Sequence, residues 1–189
     1  MDRQWDDVAA ALESGDADRV NDALEDVKSM DFEDRLRLFE VGFDELTEIY
    51  ANSDDGYVRQ STVRAVERLV PGAVTEFLVA DDPEMADRLS RQVDAACGFL
   101  LETIEDDDGR VRRSTIRALK NVYRTYDALG DDETIESLIA EFEAMADDAP
   151  DDRREHLLET IDDAEFFLQP IGTRMLSGLE RLRDRSRNR

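Results

Sequence analysis

The sequence predicts an all-α protein built from repeated groups of helices. Apolar residues recur three or four positions apart, which places them along one face of a helix. No comparable stretch alternates between apolar and polar residues, so strands are not expected. A segment of 16 residues also returns further along the chain, which is typical of repeat architectures. The clearest apolar face comprises Met85, Leu89, Val93, Ala96, Leu100 and Ile104.

The internal repeat relates residues 54–69, DDGYVRQSTVRAVERL, to residues 107–122, DDGRVRRSTIRALKNV. Nine of the 16 positions are identical at an offset of 53 residues, and three more are apolar in both copies. A second echo relates LLETIEDD at 100–107 to LLETIDDA at 157–164, at an offset of 57 residues. We therefore expect one helical-repeat domain over residues 1–189, with units at about 16–70, 71–129 and 130–187.

Each unit is expected to hold three helices, and a leading helix precedes the first unit. The leading helix, at about 2–13, carries Trp5 in an apolar stripe and should pack against its neighbour. Asp-Asp-Gly precedes both matched helices and supplies capping carboxylates, while Pro71, Gly130 and Pro150 fall between helices. About nine or ten helices result, and those of the units lie near 16–28, 32–52, 55–70, 73–80, 84–105, 109–128, 131–147, 151–168 and 170–186.

The matched helices resemble a known family. A turn Asp, then Val-Arg, then Ala with an apolar residue four positions later is similar to the second helix of a HEAT repeat. The resemblance implies a short right-handed α-solenoid of the HEAT or armadillo type, in which the turn Asp and the Arg form a structural ladder between repeats. The third unit has Ala164-Glu165-Phe166-Phe167 at the matching place and is expected to be a terminal capping repeat. The residues that carry the resemblance are Asp55, Val58, Arg59, Ala65 and Leu69, and Asp108, Val111, Arg112, Ala118 and Val122.

The composition is strongly acidic, with 48 acids against 24 bases and a formal charge of −24. Disorder does not explain this charge, because 41% of the residues are hydrophobic and they recur at helical spacing. Only two of the bases are lysines, and such acid-rich, lysine-poor surfaces resemble those of organisms that keep concentrated salt in the cytoplasm. We therefore expect a halophilic cytoplasmic protein, the alternative being an ordinary acidic regulator. No apolar run is long enough to suggest a membrane span.

Residues that could carry catalysis are sparse. Cys97 lies in an apolar run that suits a buried hydrophobe, and His156 is the only histidine, expected to be a partly exposed helix residue. Paired aspartates fall in turns, where helix capping explains them. Since phosphate loops and nucleophile motifs are also missing from the sequence, neither a cofactor nor a metal is expected, and the protein is predicted not to be an enzyme.

Basic residues are concentrated in one helix. Residues 110–124 carry six bases and no acid, and the segment 171–189 carries six arginines and two acids. Spacings of three and four place five of the bases on one helical face, and Arg64 occupies the matching place in the first unit. We expect this face to bind another protein through an acidic surface or peptide; the alternatives are nucleic-acid binding and internal pairing with Asp132, Glu133 and Glu136. The candidate partner-binding residues are Arg64, Arg110, Arg113, Arg117, Lys120 and Arg124.

Overall fold

The structure, a computed structural model, describes residues 3–70 and 82–170. Within these residues the chain forms eight α-helices and no strands, in agreement with the predicted all-α class. The predicted helix at 73–80 lies outside the described residues, as do the helix predicted at 170–186, apart from Pro170, and the arginine-rich segment 171–189.

The helix boundaries agree with those predicted to within about two residues. In chain order, the helices are α1 (Arg3–Ser14), α2 (Ala17–Ser29), α3 (Phe32–Asn52), α4 (Gly56–Leu69), α5 (Pro83–Thr103), α6 (Gly109–Leu129), α7 (Asp132–Asp148) and α8 (Asp151–Leu168).

Aspartates define where most of the helices begin. In six of the eight helices the N-cap is an Asp whose side chain accepts a backbone N–H of the first turn. These bonds satisfy donors that the helix itself leaves unpaired, and the negative charge lies at the positive end of the helix dipole. Part of the acidic composition therefore has a local structural role. The capping residues are Asp16, Asp31, Asp55, Asp82, Asp108 and Asp131.

The helices pack in two series. In one series α2 contacts α4, α4 contacts α6 and α6 contacts α8. In the other, α1 contacts α3 and α3 contacts α5. Contacts between the series join α1 to α2, α3 to α4, α5 to α6 and α7 to α8, and one continuous hydrophobic core runs through them. The central element is α6, which contacts α4, α5, α7 and α8.

Trp5 fixes α1 against α3, as its apolar stripe predicts. Its side chain is buried, and its indole N–H donates to Glu45 Oε2 at 2.6 Å. The ring lies directly on Gly42, where an added Cβ would come within 2.1 Å of it. A glycine at this position is therefore needed for α1 to approach α3.

The two sequence echoes behave differently in the structure. The segments 54–69 and 107–122 fall on α4 and α6, which are neighbours in the same series. The segments 100–107 and 157–164 fall on the end of α5 and on α8, which belong to different places in the packing. Both of these helices contact α6.

Candidate partner-binding surface

The basic residues lie on α6, which has a capping residue at each end. Asp108 caps the start of α6, accepting the backbone N–H of Arg110 at 2.8 Å, and Gly130 ends the helix in the left-handed conformation with φ of 73°. The apolar face of α6 is buried, including Val111, Leu119 and Tyr123. The five bases predicted to share a face of α6 are exposed or half-buried, and we call this set the α6 stripe: Arg110, Arg113, Arg117, Lys120 and Arg124.

Three members of the α6 stripe bond only to neutral groups on their own helix. Arg113 donates to the carbonyl of Gly109 at 3.1 Å, Arg117 to Ser114 Oγ at 2.9 Å, and Arg124 to Asn121 Oδ1 at 3.2 Å. No carboxylate of the described residues forms an ion pair with these three guanidinium groups. Within the described residues, these three positive charges are therefore exposed and uncompensated.

The other two members of the α6 stripe are paired. Arg110 binds the capping residue Asp108 through two nitrogens, the shortest bond being 2.6 Å. The ammonium group of Lys120 lies 2.9 Å from Asp163 Oδ2 and 4.0 Å from Glu159 Oε1, and both carboxylates belong to α8. Lys120 is therefore part of the contact between α6 and α8.

Internal pairing of the α6 stripe with residues 131–147 does not occur. No ion pair of the described residues joins the stripe to Asp132, Glu133 or Glu136, which are all exposed on α7. The reason is the packing, since it is α8, and not α7, that follows α6 in its series. The neutralising carboxylates are on α8, and they reach only Lys120.

Arg64 lies beside the α6 stripe on the neighbouring helix α4. Its guanidinium donates to Asn21 Oδ1 of α2 at 2.8 Å. Between α4 and α6, Gln60 Nε2 donates to Ser114 Oγ at 3.4 Å and Asn121 Nδ2 donates to the carbonyl of Glu67 at 3.0 Å. These bonds hold the two helices side by side and place Arg64 and the stripe on adjacent helices of one series.

Two arginines at matching places in α4 and α6 bind carboxylates that are distant in the sequence. Arg59 donates to the carbonyl of Ser53 in its own unit and, through two nitrogens, to the carboxylate of Asp106, at 2.8 and 3.2 Å. Arg112 donates to the carbonyl of Asp106 at 2.7 Å and to Asp152 Oδ2 at 2.9 Å. Because residue 106 follows residue 53 at the repeat offset, both arginines bind the same carbonyl position of their own unit.

The carboxylates that receive these arginines are not the ones that the resemblance implies. Asp55 and Asp108 act as helix caps, and Asp108 also binds Arg110. The arginines bind Asp106 and Asp152 instead. Sequence reasoning missed Asp106 because its counterpart at the repeat offset is Ser53, so comparison of the two copies gives no signal there. One signal could have found it: capping needs only one acid of Asp106-Asp107-Asp108, so the presence of further acids there indicates another role.

The charges of this cluster hold its carboxylates in the ionised form. Burial alone would raise the pKa of Asp106, but hydrogen bonds from Arg59 and Tyr50 outweigh burial and lower it. The hydrogen bond between Arg59 and Asp106 in turn raises the pKa of Arg59. The pKa of Asp108 is lowered to about 2, mainly by the hydrogen bond from the Arg110 side chain and then by the backbone N–H. Both carboxylates are therefore charged at neutral pH.

Residues that might carry catalysis lie in structural settings. Cys97 is buried, and burial raises the pKa of its thiol to about 12, so it is not a thiolate at neutral pH. His156 is half-buried, and its Nδ1 lies 2.8 Å from the carbonyl oxygen of Asp152, the residue whose side chain binds Arg112. Across residues 3–70 and 82–170, no three acidic, histidine or cysteine side chains are grouped so as to hold a metal ion.

Among the described helices, none is long and apolar enough to cross a membrane. No protein-family model matches the sequence, and searches of curated proteins and of solved structures found no match.

Proposed function

We propose that this protein is a non-enzymatic interaction module, a short α-solenoid of HEAT-like repeats that binds an acidic partner protein through the α6 stripe and Arg64. The observation that carries the proposal is that Arg113, Arg117 and Arg124 are exposed and hydrogen-bond only to neutral groups. In a chain with a formal charge of −24, these three cations have no carboxylate partner among the described residues. Guanidinium groups suit such a surface because their planar fork binds carboxylates through two hydrogen bonds.

The solenoid part of the proposal rests on the packing and on the two arginines between units. The successive contacts of α2, α4, α6 and α8 are what a stack of repeats produces, because each repeat contacts only its neighbours. Arg59 and Arg112, at matching positions, each bind a carboxylate of the following unit. In HEAT-like arrays the last helix of each unit lines the concave side, and in the proposed arrangement α6 is the last helix of its unit.

Binding of an acidic probe tests the proposed function. The probe is a fluorescently labelled poly-glutamate peptide, and its anisotropy is titrated with the protein. Three exposed ion pairs at about 0.5 kcal/mol each add up to about 1.5 kcal/mol. The variant Arg113→Glu, Arg117→Glu, Arg124→Glu should therefore bind the peptide at least about tenfold more weakly than the wild type. Its melting temperature should change little, because these side chains bond only to neutral groups of their own helix.

A matched variant controls for net charge. Arg3, Arg19 and Arg91 are exposed on α1, α2 and α5, so replacing all three with Glu makes the same charge change elsewhere. This control should bind the peptide as the wild type does. Equal loss of binding in both variants would show that only net charge matters and would overturn the assignment to α6. Replacing Lys120 with Glu, in contrast, should lower stability, because Lys120 is paired with α8.

Labelled duplex DNA, titrated in parallel, separates a protein partner from nucleic acid. Phosphate binding that releases counterions falls steeply with salt. Tight binding of DNA that the triple variant abolishes, with no binding of the peptide, would replace the proposed partner class by nucleic acid.

We also propose that the protein is adapted to concentrated salt, on the strength of its acid-rich, lysine-poor composition. The screening length falls from about 10 Å at 0.1 M salt to about 3 Å at 1 M, which removes most of the self-repulsion of the acids. The melting temperature measured by far-UV circular dichroism should therefore rise markedly between about 0.1 M and about 2 M KCl. Equal melting temperatures would contradict the adaptation.

A further inference from the structure

A second charged face, on α7, is almost without partners of opposite charge among the described residues. The helix holds seven carboxylates and no base. Its apolar side, including Ile135, Leu138 and Phe142, packs into the core, so the acids are left on the outside. Among its carboxylates, the one ion pair within the described residues is a long one, 3.8 Å, between Asp147 and Arg154. The helix therefore carries mutual repulsion that a cationic neighbour would relieve.

The acids of α7 have the same spacing as the unpaired arginines of α6. Asp132, Glu136 and Glu143 are exposed and separated by four and seven residues. Arg113, Arg117 and Arg124 are separated by four and seven residues as well. At 1.5 Å per residue, both sets span about 16 Å along one side of a helix. Ala140, exposed between Glu136 and Glu143, adds no bulk to the acidic side.

Within one chain these two sets do not meet, although α6 and α7 are consecutive. The turn at Gly130 brings the helices into contact, but no ion pair of the described residues joins them. The other acidic helix near the α6 stripe, α8, differs from α7 because it contains two bases, and two of its acids, Asp152 and Asp163, are bound by Arg112 and Lys120 of α6. Among the described helices, α7 thus offers an uncompensated acidic side that matches the stripe.

From this complementarity we infer that a second copy of the chain supplies the acidic partner, its α7 docking on the α6 stripe of the first copy. The inference rests on the proposed function, because it uses the same unpaired arginines. Paired contacts between guanidinium and carboxylate already hold this fold together, as in Arg88 with Glu40, at 2.6 and 2.8 Å. Each copy carries both an α6 stripe and an α7, so the contact can be reciprocal within a dimer or can continue from copy to copy. In both arrangements association increases with protein concentration.

Charge exchange between two variants tests the inference. One variant carries Arg117→Glu and Arg124→Glu, and the other carries Glu136→Arg and Glu143→Arg. Sedimentation velocity is measured over a range of protein concentrations, at the lowest KCl concentration that preserves the helical dichroism of every variant. The sedimentation coefficient of the wild type should rise with concentration, and each variant alone should keep the value of a single chain. An equimolar mixture of the two variants should regain the wild-type rise, because each then offers the charge that the other has lost.

A third variant, Glu48→Arg with Glu165→Arg, changes the charge by the same amount at two exposed acids of α3 and α8, and it should associate as the wild type does. A wild type that stays a single chain at all concentrations, or a mixture that does not recover, would overturn the inference. If the wild type stays a single chain but still binds the poly-glutamate peptide through the α6 stripe, the proposed function stands and only the second copy is excluded as the partner.

Discussion

The junction between α4 and the following unit differs from the junction between α6 and α8, although an arginine at the same place in the repeat forms both. In the first, Arg59 is 21% exposed and its partner Asp106 only 5%; in the second, Arg112 is 5% exposed and its partner Asp152 is 68%. The first arginine is thus held by a buried carboxylate. The second is itself buried and is held mainly by the carbonyls of Asp106 and Asp107.

The difference shows that two arginines at matching sequence positions can make similar contacts with different energetic weight. A buried carboxylate that loses its arginine keeps a desolvated charge, whereas an exposed carboxylate is simply hydrated again. In the first junction, therefore, a change at Arg59 or at Asp106 disturbs a buried carboxylate. In the second junction the carboxylate matters little, and the main cost is that of removing the buried Arg112 from the two carbonyls that it binds.

The largest effect is expected for Arg112→Ala. The change leaves two inward-facing carbonyls without their donor and opens space beside His156, so unfolding in about 2 M KCl should require on the order of 3 kcal/mol less. Arg113→Ala, which removes an exposed side chain from the next position, should change stability by about 0.5 kcal/mol or less. A larger loss for Arg113→Ala would remove the ladder role from Arg112.

Replacing each of the two aspartates with Asn should give the next largest effect on stability. Asp106→Asn weakens the bonds to Arg59 and Tyr50 in a buried place and should cost about 2 kcal/mol. Asp152→Asn changes an exposed pair and should cost about 1 kcal/mol or less. Denaturation midpoints of the two variants at one KCl concentration give the comparison, and equal costs would show that exposure of the carboxylate does not distinguish the junctions.

The glycines that open α4 and α6 should respond in opposite directions. A Cβ on Gly56 would lie 2.1 Å from Asp108 Oδ2, which Arg110 holds in place, whereas a Cβ on Gly109 meets nothing closer than 3.5 Å. Gly56→Ala should therefore lower stability by about 1 kcal/mol. Gly109→Ala should be neutral or stabilising by about 0.5 kcal/mol, since it restricts the unfolded chain. Thermal melts of the two variants check the sign, and equal effects would place Asp108 elsewhere.

The smallest effect is a pH dependence that belongs to the first junction. Because the pKa of Asp106 is lowered in the folded protein, its contribution is complete above the unfolded value of about 4 and is lost as pH falls through the folded value. The difference in unfolding free energy between wild type and Asp106→Asn should therefore shrink as the pH is lowered from about 5. A difference that stays constant down to the acid transition would contradict this ionised role.

Helical spacing and capping residues were enough to predict the helices. The apolar faces, Asp55 and Asp108 as caps, and the breaks at Gly130 and Pro150 are local features, and the structure agrees with them. The exposure of Arg113, Arg117 and Arg124 was also predictable, because the opposite face of α6 is apolar. What could not be predicted was which neighbour receives each charge. The partner of Lys120 depends on α8 packing against α6, and spacing along one helix contains no information on that.

The partners of Arg59 and Arg112 could not be predicted either. The positions of Arg59 and Arg112 follow from the repeat, but their partners Asp106 and Asp152 have no common offset from them, being 47 and 40 residues away. A long-range pair of this kind depends on how a turn of one unit meets the next. Local sequence patterns do not record that geometry, and in a chain this acidic many carboxylates lie near any arginine.

The position of Trp5 decides what one common optical measurement will report. It is the only tryptophan of the chain, and it lies buried between α1 and α3 on Gly42. Its emission therefore follows the first end of the helical array alone, whereas α8 lies at the far end of the described contacts. In a repeat array of the kind proposed above, where stability is shared between neighbours, the first end can separate before the rest. A shift of tryptophan emission to longer wavelength ahead of the loss of total helix would reveal fraying from that end, and coincident curves would show that the array unfolds as one unit.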